Sequence, residues 1–168
     1  VDTIEDLFDL AEILAKQTRP QGPQLAIVTN AGGPGALAVD ALVSAGGKPA
    51  PLAAATLAAL DAILPAPWSR GNPVDLLGDA DEVRYAQALE RVAADAGTDG
   101  LLVILTPQAM TDALAVAETL RAFAGRRKDK PILASWMGGT AVEAGEARLN
   151  EAGIPTFRYP DRAAQAFT

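Results

Sequence analysis

A glycine-rich loop, Ala31–Gly35 (AGGPG), follows a short apolar run that ends at Asn30. Its glycines allow close backbone approach to a ligand, and Pro34 suits the first turn of a following helix. Such a helix start presents free N–H groups and roughly half a positive charge, which can hold an anion without basic side chains. The loop therefore predicts an anion site, although a tight strand-to-helix turn without a ligand would use the same residues. It matches neither the dinucleotide-binding fingerprint nor the P-loop.

Four polar or glycine-rich loops each follow a predicted strand, and parallel strands bring such loops to one edge of the sheet. In the strand order 2-1-3-4-5, the loops after the first and third strands flank the ligand crevice. We expect these to be the Asn30 loop and the Asn72–Asp75 loop. The four loops span Asn30–Gly35, Gly71–Gly78, Thr106–Met110 and Met137–Thr140.

Side chains in the later loops have two possible uses. Asn72 and Asp75 could contact a ligand or a metal, or they could satisfy N–H groups of their own loop. Thr106 and Gln108 could line the crevice or cap the next helix. Trp68 could be an exposed anchor for a neighbouring domain, or it could be buried locally.

The chain contains neither cysteine nor histidine. Disulfides, thiolate and imidazole metal ligands, Ser–His catalysis and a phosphohistidine within this chain are therefore excluded. Chemistry carried out by the chain alone would depend on carboxylates, Lys, Tyr, Ser, Thr or the backbone. We predict no metal site and no tightly bound cofactor.

The chain is acidic, with a formal net charge of −7 and a pI near 4.5. This balance argues against a nucleic-acid or anionic-membrane surface, where a basic patch is expected. No apolar run reaches the ~18 residues of a membrane span, and no signal peptide opens the chain. We expect a cytoplasmic protein.

Apolar runs and helical patterns alternate along the chain about five times, which is typical of parallel strands joined by helices. The predicted fold is α/β: a flavodoxin-like, doubly wound, mainly parallel five-stranded sheet with helices on both faces. We divide the chain into a helix that enters the domain (1–18) and the domain itself (19–168). Helical patterns reach both termini, which predicts a piece of a longer polypeptide.

Five motifs together resemble the NDP-forming acyl-CoA synthetases, which include the ADP-forming acetate–CoA ligases and relatives of succinyl-CoA synthetase. They occur in family order over essentially the whole chain, and Thr3–Phe8 resembles the helix that enters this domain. The motifs are Ala26–Gly35 (AIVTNAGGPG), Gly71–Asp75 (GNPVD), Leu105–Met110 (LTPQAM), Ser135–Gly139 (SWMGG) and Ala152–Thr156 (AGIPT).

The resemblance implies an acid–thiol ligase that interconverts acyl-CoA, ADP and phosphate with acid, CoA and ATP through an acyl phosphate and a phosphohistidine. This chain would be its second flavodoxin-like CoA-ligase domain and inactive alone. The His would belong to a preceding domain beside a CoA-binding domain, and an ATP-grasp domain would complete the enzyme. The parent would use CoA, ADP or ATP, phosphate and Mg²⁺, and the acyl substrate stays open.

The resemblance also assigns site residues, none of them catalytic. Those expected to bind phosphate are Asn30, Gly32, Gly33 and Gly35. Those expected to line the crevice are Asn72, Asp75, Pro107, Gln108, Gly138 and Gly139. Valine at Gly33 or Gly35 is expected to leave the fold largely intact and to impair phosphoryl transfer.

Two alternatives remain open at this level. The chain could belong to a synthetase-like regulatory region of a protein-lysine acetyltransferase, which would sense a ligand rather than ligate. It could also be a free-standing flavodoxin-like module that binds a small ligand, although Ala31–Gly35 lacks the hydroxyls usual in a flavin phosphate loop.

Overall fold

Six parallel strands and seven helices alternate along the chain in the computed structural model, which describes residues 1 and 3–168. The strands are β1 (Gln24–Thr29), β2 (Lys48–Pro49), β3 (Val74–Asp75), β4 (Gly100–Leu105), β5 (Ile132–Trp136) and β6 (Thr156–Phe157). The helices are α1 (Ile4–Lys16), α2 (Gly32–Ser44), α3 (Ala54–Asp61), α4 (Glu82–Ala94), α5 (Ala113–Arg126), α6 (Glu143–Glu151) and α7 (Pro160–Phe167), with a 3₁₀ turn at Gly139–Ala141.

The sheet has the order β2-β1-β4-β5-β6, and β3 also pairs with β1. Every pairing is parallel, so the predicted flavodoxin-like α/β class is confirmed. The prediction of five strands was one short. Two-residue β2 pairs with the start of β1 and two-residue β3 with its end, so both occupy one edge position.

One topological prediction was wrong. The third strand of the doubly wound order is β4, because β4 pairs with β1 on the side opposite β2 and β3. Strand order therefore reverses between β1 and β4. The loops that flank this switch point begin at Asn30 and Thr106, and the Asn72–Asp75 segment lies on the other side of β1.

Apolar side chains cover both faces of the sheet, which explains why β4 is uniformly apolar rather than alternating. One face packs against α3, α4, α5 and α6, with Tyr85, Phe123 and Trp136 among its buried residues. The other packs against α2 and α7, where Leu42 and Phe167 are buried. The helices thus enclose the strands on both faces.

Trp68 is buried, with 3% of its surface exposed, and its indole N–H donates to Asp61 Oδ1 at 2.8 Å. The local packing role is therefore the correct one of the two that the sequence allowed. Within residues 1 and 3–168, no helix is long and apolar enough to span a membrane.

A buried carboxylate, Asp95, joins the loop that precedes α3 to the loop that precedes β4. It accepts hydrogen bonds from the backbone N–H groups of Ala53 and Gly97, both at 2.8 Å. Burial by itself would raise the pKa of Asp95, but these bonds and one from Thr56 outweigh it and hold the pKa below its ordinary value. The ionised form is therefore the one that stabilises the fold.

We expect Asp95→Asn to lower the free energy of unfolding by about 1–3 kcal/mol at pH 7. A carboxyl whose pKa is depressed by folding stabilises above its unfolded pKa of about 3.9 and loses that contribution as the pH falls through the folded pKa. The difference between variant and wild type should therefore shrink below about pH 4. Urea unfolding across pH measures it, with exposed Asp129→Asn as the control. An equal loss of unfolding free energy in Asp95→Asn and Asp129→Asn would contradict the stabilising role of the ionised Asp95.

Candidate functional site

The amino end of α2 has no side-chain cap. Its N-cap residue is Ala31, and no acidic residue occupies the first turn. Gly32 and Gly33 are exposed, and their backbone N–H groups have no hydrogen-bond partner among the residues that the structure describes. Pro34 has no N–H to donate. Two unpaired donors and the positive end of a 13-residue helix therefore face solvent at the carboxyl edge of the sheet.

Thr29 and Ala31 form the abrupt strand-to-helix turn. The Thr29 hydroxyl accepts from the Ala31 N–H and donates to the Ala31 carbonyl, both at 3.0 Å. These bonds hold Ala31 in an extended conformation, with φ −149° and ψ 121°, directly before the helix. The amino end of α2 thus lies directly at the carboxyl end of β1.

The glycines of this loop divide into two kinds. A Cβ on Gly33 would meet no atom within 4 Å, so the space beside its Cα is open. A Cβ on Gly35 would lie 3.1 Å from both Pro73 Cβ and Thr29 Cγ2, and the Gly35 N–H already donates to the Ala31 carbonyl at 3.3 Å. Gly35 is therefore needed for packing, and the expectation that valine leaves the fold intact applies to Gly33 alone.

Asn30 lies under the loop with its side chain fully engaged. Its amide nitrogen donates to the Thr106 carbonyl at 2.8 Å, and its amide oxygen accepts from the Thr106 N–H at 2.8 Å and hydroxyl at 3.1 Å. Only 1% of Asn30 is exposed. Its side chain thus joins the two loops across the switch point and does not reach outward to an anion.

Tyr85 supports the same junction from beneath. It is fully buried, and its hydroxyl donates to the Ile104 carbonyl at 2.8 Å. Burial raises the pKa of Tyr85 well above its ordinary value, so the hydroxyl stays protonated and acts as a donor. Tyr85 is a support for the end of β4 and not an acid or base.

Asn72 does not line the crevice, contrary to the sequence prediction. Its side-chain oxygen accepts from the Ile27 N–H at 2.9 Å, and its nitrogen donates to the carbonyls of Leu25 at 2.9 Å and Ala50 at 3.2 Å. Ile27 lies on β1 between its pairing with β2 and its pairing with β3, Leu25 is the last β1 residue that pairs with β2, and Ala50 directly follows β2. The Asn72 amide therefore replaces a peptide group in the ladder.

Asp75, by contrast, lies beside the start of α2. Its Oδ1 accepts from the Leu77 N–H at 2.9 Å, and its Oδ2 is 3.0 Å from the position of a Cβ on Gly32. Leu77 has φ 70°, a left-handed conformation that is uncommon for a residue with a side chain. The turn after β3 thus places one carboxylate against the helix end, and a side chain at position 32 would require Asp75 to shift by a few tenths of an ångström.

The loops after β4 and β5 complete the rim. Pro107 packs against Gly138, which has φ 150°, and Gly139 is open to solvent. The exposed Gln108 side chain lies beside the turn after β3, with its Cδ 3.6 Å from the position of a Cβ on Gly78. The sequence left the role of Thr106 open, and the structure shows that Thr106 holds Asn30. The sequence signal for such a role was the position of Thr106 directly after the strongly apolar strand β4.

The positive potential of this rim comes from backbone N–H groups rather than basic side chains, and the Asp75 carboxylate lies beside them. No group of three or more His, Cys, Asp and Glu residues in the described part of the chain is arranged to hold a metal ion. The arrangement can therefore bind and orient an anion at Gly32 and Gly33, but these residues offer no nucleophile of their own.

The sequence profile of the Ligase-CoA domain matches residues 25–167. An ADP-forming acetate–CoA ligase I from Archaeoglobus fulgidus is 38% identical over 166 residues, which are 99% of this chain and 23% of that protein. The alpha subunit of an ADP-forming acetate–CoA ligase II from Pyrococcus furiosus is 33% identical over 98% of this chain and 36% of the subunit. The chain thus spans about a quarter to a third of these relatives.

Solved structures give the same result. A protein from Pyrococcus horikoshii superimposes with a TM-score of 0.92 and 32% identity, over 99% of this chain and 39% of its own. A dinucleotide-forming acetyl-coenzyme A synthetase 1 from Ca. Korarchaeum cryptofilum, in complex with phosphate and ADP, superimposes with a TM-score of 0.91 and 26% identity, over 99% of this chain and 36% of its own.

The resemblance to NDP-forming acyl-CoA synthetases that five motifs indicated is confirmed by these matches. The profile match lies inside the predicted domain 19–168, and the division of that domain from the helix before it stays a prediction. With 143 of its residues covered by one family profile, from 25 to 167, the chain belongs to the Ligase-CoA domain family.

Proposed function

We propose that this chain is the phosphate-facing ligase domain of an NDP-forming acyl-CoA synthetase and is inactive alone. The parent would convert acyl-CoA, ADP and phosphate into acid, CoA and ATP, or the reverse, through an acyl phosphate and a phosphohistidine on another domain. The observation that carries this proposal is the uncapped amino end of α2, where the N–H groups of Gly32 and Gly33 are unpaired and the space at Gly33 is open. The named relatives are ADP-forming acid–CoA ligases, which supports the reaction class.

The role of the domain would be electrostatic. A phosphoryl group carried on an imidazole has an anionic charge that is costly to desolvate when an active site closes. Backbone N–H groups at a helix start stabilise such a charge without moving during the reaction. Gly32 and Gly33 would donate to the phosphoryl oxygens. Because Asn30 is bonded to Thr106, the helix end would be held at a fixed distance from the loop after β4.

The remaining parts of the reaction would come from elsewhere in the parent. A CoA-binding domain, a His-bearing domain and an ATP-grasp domain, on the same chain or on a partner subunit, would supply the thiol, the nucleophile and the nucleotide with its Mg²⁺. The absence of histidine from this chain fits that division. The relatives are three to four times longer than the matched part, which leaves room for these domains.

The proposal is tested on the full-length parent with [γ-³²P]ATP. We expect the parent to take up a label that is acid-labile and base-stable, as a phosphohistidine is, and that CoA plus the acid substrate discharges. Thermal stabilisation by ATP serves as the control that the nucleotide site is intact. A folded parent that binds ATP but takes up no such label would overturn the proposal.

A further inference from the structure

The apolar side of α1 faces solvent. Ile4, Leu7, Phe8 and Leu14 have 76%, 56%, 69% and 57% of their surface exposed, and Ala11 between them is also exposed. These five residues are called the outer face. Positions 4, 7, 11 and 14 alternate by three and four residues, the spacing with which one helix packs along another. A contiguous apolar patch of this kind indicates an interaction surface.

Polar contacts on the opposite side of α1 hold the outer face in place. Arg162 on α7 donates to Asp6 at 2.7 Å and to Asp9 at 2.5 Å. Gln17, directly after the helix, donates to the Gly153 carbonyl at 2.6 Å, and Ile13 is the buried apolar contact of α1. Turning the outer face inward would break both ion pairs and expose Ile13. The exposure of the outer face is therefore built into the way α1 is attached.

The size of the outer face limits what can cover it. Its five residues expose roughly 500–600 Å² of surface, whereas a stable association of separate chains buries about 800 Å² per partner. A second copy of the chain held by this face alone would not stay bound. A domain tethered in the same polypeptide needs no such area, because a short linker raises its effective concentration to roughly millimolar.

We propose that the outer face of α1 is the docking surface for a helix of another domain in the same polypeptide. Relatives of this chain carry at least 64% of their length outside the matched part, and the matched part of the Pyrococcus furiosus ligase lies within a single subunit. The docked helix has an apolar stripe with the same three–four spacing. A basic residue on the docked helix faces Glu5, which borders the outer face, whereas Glu12 on the same border is already paired with Lys16.

The test uses thiol accessibility in the full-length parent. Ala11→Cys places a small thiol in the middle of the outer face, and Ala122→Cys places one on the exposed side of α5 as the matched control. Each rate of maleimide labelling is measured in buffer and in urea, and the labelled peptide is identified by mass, since this segment has no native cysteine. We expect the native-to-urea ratio to be at least about tenfold lower for Ala11→Cys than for Ala122→Cys.

A second substitution tests whether docking causes the protection. Leu7→Lys combined with Ala11→Cys should raise labelling to the level of the control, with an unchanged far-UV spectrum. Equal ratios for the two single cysteines would overturn the proposal. Protection that fades on dilution, together with a dimer in light scattering, would overturn it too, because the occupant would then be a second copy. The readout does not depend on phosphoryl transfer, so this proposal and the proposed function can fail separately.

Discussion

Replacing Gly33 by Glu in the full-length parent is expected to lower the rate of phosphoryl transfer by about 100-fold or more, while the fold remains stable. The new side chain would enter space that holds no atom within 4 Å of the Cβ position. Its negative charge would lie at the positive end of α2, where it stabilises the helix but repels an anion from the Gly32 and Gly33 N–H groups. Stability and activity are therefore expected to change in opposite directions.

The measurement pairs the single-turnover rate of phosphorylation with the melting temperature of the parent. Gly33→Gln is the matched control, because it has nearly the same size as Glu without the charge, and it should retain much more activity. Gly33→Ala should be close to wild type, since the N–H group stays accessible. A wild-type rate in a folded Gly33→Glu variant would remove phosphate binding from this end of α2.

Asn72→Ala is expected to lower the free energy of unfolding by roughly 2–4 kcal/mol, a large part of the stability of a domain this size. The substitution would leave the Ile27 N–H and the carbonyls of Leu25 and Ala50 without the partners that the Asn72 amide provides. These groups lie on the side of β1 away from β4, where β2 has ended and β3 has not begun, and the Leu25 carbonyl keeps its bond from the Ala50 N–H. Water would have to enter the edge of the sheet to replace them.

Urea unfolding measures this loss, and Asn72→Asp sharpens it. The carboxylate keeps an acceptor for the Ile27 N–H but places a second oxygen against the Leu25 and Ala50 carbonyls, so it should destabilise at least as much as Ala at neutral pH. Gln108→Ala, on the exposed rim, is the control and should stay within about 0.5 kcal/mol of wild type. A loss of that small size for Asn72→Ala would show that the amide does not support the ladder.

Local patterns were sufficient for the elements, the fold class and the family. The uniformly apolar run of β4 and the helical spacing of α4 and α5 depend on neighbours within a few residues, and such spacing is visible in the chain itself. The uncapped loop before α2 was also readable, because the glycines, the proline and the missing cap residue are adjacent. The motifs then identified the family because their order along the chain is itself sequence information.

Tertiary structure alone decided which of the polar residues face the site. Asn30 and Asn72 are both asparagines near strand ends, yet one ties the two loops of the switch point together and the other fills a gap in the ladder. Their partners are 76 and 47 residues away, so no local pattern could distinguish them. The same holds for Gly35, where a side chain would collide with Pro73, a residue that is distant along the chain.

The direction of α1 was settled in the same way. Its apolar stripe is plain in the sequence, and a stripe of this kind usually faces the core of its own domain. Here the ion pairs of Arg162 with Asp6 and Asp9 hold the stripe outward. The sequence by itself determined that α1 has an apolar face, because helical spacing is a local property. Only the tertiary structure decided which face the domain binds, because that depends on an arginine more than 150 residues away along the chain.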